Sequence, residues 1–189
     1  MFMLSMLSGS GGGREYLNVG SINLDVFLIE CLAWGLLRAY GVEKPPVSVR
    51  EMIRRPLPMF DRLTLLELNL GLYDATYKLL LDGSRLIAVD LGKPRVVQRV
   101  GIARELYVAF CHSSRAAELG WPSYEQSNVY GDLFARCLLM PTVWVRQACA
   151  ETISVESLAA LFDVPSRMMA HRLEEIEGRS FGSTVPLLV

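Results

Sequence analysis

The chain has 189 residues, of which 51% are hydrophobic and 21% charged, with a formal net charge of −1. That makes one domain of ordinary size with room for a small appendage, and it excludes a disordered chain. The near-neutral balance argues against a generic polyanion binder. No apolar run reaches the roughly 20 residues of a membrane helix, since Glu30 interrupts the richest stretch, Val26–Leu37.

Cys31, Cys111, Cys137 and Cys149 are widely spaced, with no CxxC pair. With no secretory pattern at the start, this reads as a cytoplasmic chain with reduced, mostly buried thiols. Residues 1–20, short of charge and rich in Ser and Gly, are expected to be a flexible leader. Ser21 to Tyr40 is predicted as a helix apolar on nearly every face, stopped by Gly41 and followed by Pro45 and Pro46. Ser48-x-x-Glu51 has the form of a capping box opening a short helix that must end before Pro56. The period then changes to that of strands at 63–70. Runs at 74–81 and 85–91 flank Asp82-Gly83-Ser84, a hairpin signal.

The helical period returns from Pro94 to Ser113, where Val97, Val100, Arg104, Val108 and Cys111 share one stripe. An arginine inside that stripe is the oddest local feature of the chain. After Gly120-Trp121-Pro122 a helix is predicted from Tyr124 to Leu139, stopped by Pro141. Helices near 142–149, at Val155–Phe162 and at Ser166–Glu177 follow, the last ended by Gly178 and leaving a loose tail, 179–189.

Four strings in this order resemble the ImmA/IrrE family of zinc metallopeptidase-like proteins. They are Leu36–Gly41 with Pro45-Pro46-Val47, Gln98–Leu106, Phe134–Pro141, and Leu158–Pro165 followed by Arg172-Leu173. The resemblance covers about residues 22–177. It implies an α+β, zincin-like domain over 21–141, with a small sheet packed on helices, and a helix-turn-helix-like subdomain over 142–178.

The family's chemistry rests on an HExxH helix, whose two histidines hold zinc while the glutamate activates water. Laid on this chain, those positions are Arg104, Glu105 and Val108, and the third ligand, a glutamate, falls near Asn128. Arginine has no lone pair to give a metal and valine no donor atom. The expectation is therefore an inactive, metal-free member without other cofactors. Through the resemblance it is read as a regulatory or protein-binding module acting on a protein partner such as an XRE-type repressor, with self-association left open.

Two alternatives stand beside this reading. One is a hydrolase using Glu105 with a different metal site, for which Cys111, His112 and Cys137 are the available ligand types. Adjacent residues diverge by about 100° on a helix, which disfavours that set. The other is a DNA-binding regulator acting through the C-terminal helices. Its weakness is charge, since 150–189 holds three arginines against six acids, including Glu174, Glu175 and Glu177. His171 has no evident role. For Arg104 the expectation is an ion pair to the facing helix, Asp132 first and Glu125 second, in place of the metal cross-link. The competing expectation is a guanidinium snorkelling to water.

Overall fold

The computed structural model describes residues 24–121, 127–152 and 154–180. Helix α1 (Leu24–Ala39) buries Ile29, Ala33, Leu36 and Leu37 but leaves Phe27 and Trp34 partly in solvent, so it is one wall of the core and not its centre. Gly41 ends it in the left-handed region at φ 65°, and Val42 N–H returns to the Leu37 carbonyl at 2.9 Å. Helix α2 (Val49–Arg54) starts after Ser48, but the expected capping box does not form. Ser48 makes no side-chain cap, and Glu51 pairs with Arg54 at 2.6 Å instead.

After a 3-10 turn at Pro58–Phe60 come β1 (Leu63–Leu68), β2 (Ala75–Leu79) and β3 (Arg85–Asp90). β3 is central, parallel to β1 and antiparallel to β2, with Ala75 opposite Val89 and Leu79 opposite Arg85. The hairpin turns where expected. Asp82 Oδ1 accepts from the Ser84 N–H at 2.9 Å and from its hydroxyl at 2.6 Å, while Gly83 supplies φ 78°.

Helix α3 (Arg95–Cys111) lies between the sheet and α5 (Ser127–Leu139) and buries Ile102, Ala103, Leu106, Tyr107 and Phe110. The predicted stripe is not this core face. Val108 is buried, whereas Val97, Val100, Arg104 and Cys111 are only partly covered. α3 has two packing partners, so apolar residues surround it and one stripe does not mark its inner side. Gly101 allows the approach to the sheet, because a Cβ there would stand 2.9 Å from that of Ala75.

Helix α4 (Ser114–Glu118) is capped by Ser113 Oγ, which accepts from the Ala116 N–H at 3.1 Å. Then come α6 (Thr142–Glu151), α7 (Val155–Phe162) and α8 (Ser166–Ser180). Asp163 takes φ 52° between the last two. α8 runs through Gly178 and does not end there. Exposed glycine weakens a helix by only about 1 kcal/mol relative to Ala, too little to stop one already docked. The leader, the tail beyond Ser180 and the expected first turn at Tyr124–Gln126 lie outside the described residues. No described helix is long and apolar enough to cross a membrane.

Candidate functional site

α3 carries Arg104, Glu105 and Val108, and α5 packs beside it with Asp132. Gly131 faces Arg104 closely, with the position of its absent Cβ 3.7 Å from the Arg104 carbonyl oxygen. The turn before β2 brings in Asp74. Arg104 Nη1 lies 3.5 Å from Asp132 Oδ1, and Nη2 lies 4.0 Å from Asp74 Oδ2. The Arg104 side chain is 31% exposed and that of Asp132 56%, so the cluster sits at a rim and not in the core. Arg104 Nε is buried without a hydrogen-bond partner among the described residues. Glu125 lies outside the described residues, and the Asn128 backbone is in the first turn of α5.

Asp74 is the member that sequence reasoning missed. It sits on a different element, and the close packing of α3 at Gly101 against Asp74 and Ala75 carries it to Arg104. It also pairs with Lys93 at 3.4 Å.

Glu105 meets the sheet, where its carboxylate accepts a hydrogen bond from the Tyr77 backbone. Burial raises its pKa to about 7, against the opposing pull of Arg104 and of that hydrogen bond. Val108 is buried and apolar.

The zinc that the resemblance implies does not fit these residues. Arg104 and Val108 offer no ligand atoms at an i, i+4 pair. The alternative set is not assembled either. His112 Nδ1 lies 2.9 Å from the Val108 carbonyl and its ring packs on Tyr77 at 5.0 Å. Cys111 is hydrogen-bonded to Tyr107, and burial lifts its thiol to about 11. Cys137 faces another way, lining a cavity of about 60 Å³ with Glu30, Trp34 and Arg172. Among the described residues no three His, Cys, Asp or Glu side chains are grouped to hold a metal ion.

Asp74 and Asp132, the two carboxylates beside Arg104, line a cleft of about 650 Å³ between α3, α5 and α8. Val97 and Val100 form its apolar side on α3, with Pro165 and Met168 facing from the C-terminal helices. His171 and Glu174 of α8 also line it. The Val97 and Val100 part of the stripe is thus the wall of a cleft, which explains why it is apolar without being core.

A buried ion network holds α8 in place. Arg172 is fully buried. It donates from Nε to the Met140 carbonyl at 3.0 Å, from Nη1 to Glu175 at 3.1 Å, and from Nη2 to Glu30 at 3.1 Å and Thr142 at 3.0 Å. Arg136 of α5 grips the same Glu175 at 2.6 Å. Arg99 does similar work for α7, donating to the Val47 and Phe162 carbonyls at 2.7 Å and pairing with Asp163 at 3.1 Å. The only hint of this network in the sequence is a lone charge, Glu30, in an apolar helix.

A three-stranded sheet under a long helix, a second helix across it and a helical segment closing a cleft together define an α+β domain of the metallopeptidase-like class. Residues 62–174 match the family model of the IrrE N-terminal-like domain, and the chain belongs to that family. Among curated proteins the chain has no match. It is similar in fold to a solved structure of a Mycobacterium tuberculosis transcriptional regulator, with a TM-score of 0.60 and 14% identity over 78% of this chain and 46% of that one. The chain therefore spans less than half the length of that regulator.

Proposed function

We propose that this chain is a regulatory member of its family that has given up zinc peptidase chemistry and works by binding a protein. The observation that carries the reading is Arg104. A permanent cation stands where the first zinc ligand of the family falls, between Asp132 and Asp74, on the helices that the metal would otherwise tie together. The cleft beside it persists, with an apolar side and charged rims suited to an extended peptide segment. By the family resemblance, an XRE-type repressor is the partner of choice, held without being cut. The neighbour's description as a transcriptional regulator supports a regulatory role.

The test combines metal content with binding. Protein purified without chelator should carry no zinc, and a purified XRE-type repressor from the same genome should bind it by calorimetry and keep its full length on incubation. Binding should weaken on charge reversal at Asp132. Shortening of the repressor, or its failure to bind, overturns the reading.

One observation favours a second reading, residual hydrolysis through Glu105. A carboxyl with a pKa of about 7 is tuned for general base work at neutral pH. A peptidase activity abolished by Glu105→Gln would establish it. The DNA-binding alternative has less support. Part of the α8 surface, at His171 and Glu174, lines the cleft, and the helix ends among acids that would repel phosphates.

A further inference from the structure

A larger cleft, about 870 Å³, opens at the N-terminal end of α3, between α2, the end of β3 and the turn after α7. Its volume falls in the range of about 300–1,000 Å³ typical of small-molecule sites. Among the described residues its walls carry Arg50, Arg54, Lys93, Arg95 and Arg99 against two carboxylates, Glu67 and Asp163. In a chain of net charge −1 this is a strong local concentration of positive charge.

The cations are held in place in different ways. Arg99 forms part of the lining, fixed by the main-chain carbonyls of Val47 and Phe162. Arg50 pairs with Glu67 and donates to Gln98 Oε1 at 2.7 Å. Gln98 is itself buried and anchored through Nε2 to the Asp90 and Lys93 carbonyls, each at 3.0 Å. Arg50 is therefore pre-positioned by a buried polar side chain. Arg54 has only a surface pair with Glu51, and Arg95 makes no ion pair or hydrogen bond with the described residues. The 17-residue α3 also begins here, with Pro94 offering no side-chain cap and no acid in the first turn, so the positive end of its dipole is uncompensated.

We propose that this cleft binds a small molecule through a diphosphate group. The surplus of cations over carboxylates matches a diphosphate better than a single carboxylate, and guanidinium forks suit phosphate oxygens. Val49, Leu91 and Pro94 add an apolar margin for the rest of such a molecule. This cleft shares no lining residue with the one beside Arg104, and the ion pair of Lys93 with Asp74 bridges the two.

Calorimetry on the full chain at low salt tests it, with inorganic pyrophosphate, ADP and a short DNA duplex as separate probes. Pyrophosphate or ADP should bind at about one equivalent and weaken as salt rises. Tighter binding of ADP would mean that the apolar margin takes part, and equal binding would mean that the diphosphate alone is read. Arg54→Glu with Arg95→Glu, both at exposed positions, should weaken binding about tenfold per position, while Arg167→Glu in the other cleft should leave it unchanged. Circular dichroism confirms that the variants fold. No binding of pyrophosphate or ADP at millimolar concentration, binding indifferent to the double reversal, or binding of the duplex alone would overturn the proposal.

Discussion

Replacing Arg172 by methionine keeps most of the side-chain volume and removes the charge, which isolates the electrostatic part of the α8 anchor. Glu30 would keep Thr142, and Glu175 would keep Arg136, but the Met140 carbonyl would lose its Arg172 donor and Glu30 its cation. Breaking a buried pair by removing one partner costs about 3–5 kcal/mol. Because both carboxylates retain one partner, we expect the lower part of that range, about 3 kcal/mol. For a domain of this size each 1 kcal/mol shifts Tm by roughly 2–4 °C, so thermal unfolding should show a fall of about 6–12 °C. The pH dependence should change as well. Burial would raise the Glu175 carboxyl, but the hydrogen bonds and charges of Arg136 and Arg172 outweigh it and hold its pKa below the ordinary 4.5. A depressed carboxyl stabilises the fold above its unfolded pKa and loses that contribution as pH falls through the folded value. The wild type should therefore lose stability as pH drops below about 4.5, and Arg172→Met should show a shallower loss. A Tm change under about 2 °C at neutral pH would refute the network as the anchor of α8.

Gly101→Ala should destabilise by about 1–3 kcal/mol through the contact with Ala75, whereas Gly178→Ala, with open space around it, should stabilise by about 0.5–1 kcal/mol; urea titration reads both. Glu105 titrates near 7 in the fold and near 4.5 when unfolded, so the fold binds more protons between those values and loses stability as pH rises through them. Glu105→Gln should remove that component, raising the denaturation midpoint at pH 8 more than at pH 5. Arg104→Ala should cost under about 1 kcal/mol, because its pair with Asp132 is long, at 3.5 Å, and lies at a solvent-exposed rim; a loss of about 3 kcal/mol in urea titration would contradict that geometry.

Local chemistry made much of the fold legible. Asp82-Gly83-Ser84 specifies its own turn, and Ser154 caps the start of α7 from its own sequence, with Ser154 Oγ accepting from the Ser157 N–H. Features decided by distant partners were not legible. Ser48 and Glu51 have the right spacing for a cap, yet Glu51 binds Arg54. The stripe through Val97 and Val100 does not by itself tell core from cleft, because apolar residues line both. At the site, the replaced ligand positions are visible in the sequence, since Arg104 and Val108 declare their chemistry by type. Asp74 and the main-chain acceptors of Arg99 and Arg172 are not visible, because the fold brings the first in from another element and the others are carbonyls at the ends of other elements.

The most direct measurement is the zinc content of two proteins purified side by side without chelator, the wild type and the triple variant Arg104→His, Val108→His, Asn128→Glu. We expect no stoichiometric zinc in the wild type and about one equivalent in the variant, where a complete ligand set is restored at the family's ligand positions. About one equivalent of zinc in the wild type, lost on substituting Glu105, Cys111 or His112, would contradict the claim that Arg104 has taken the place of the metal.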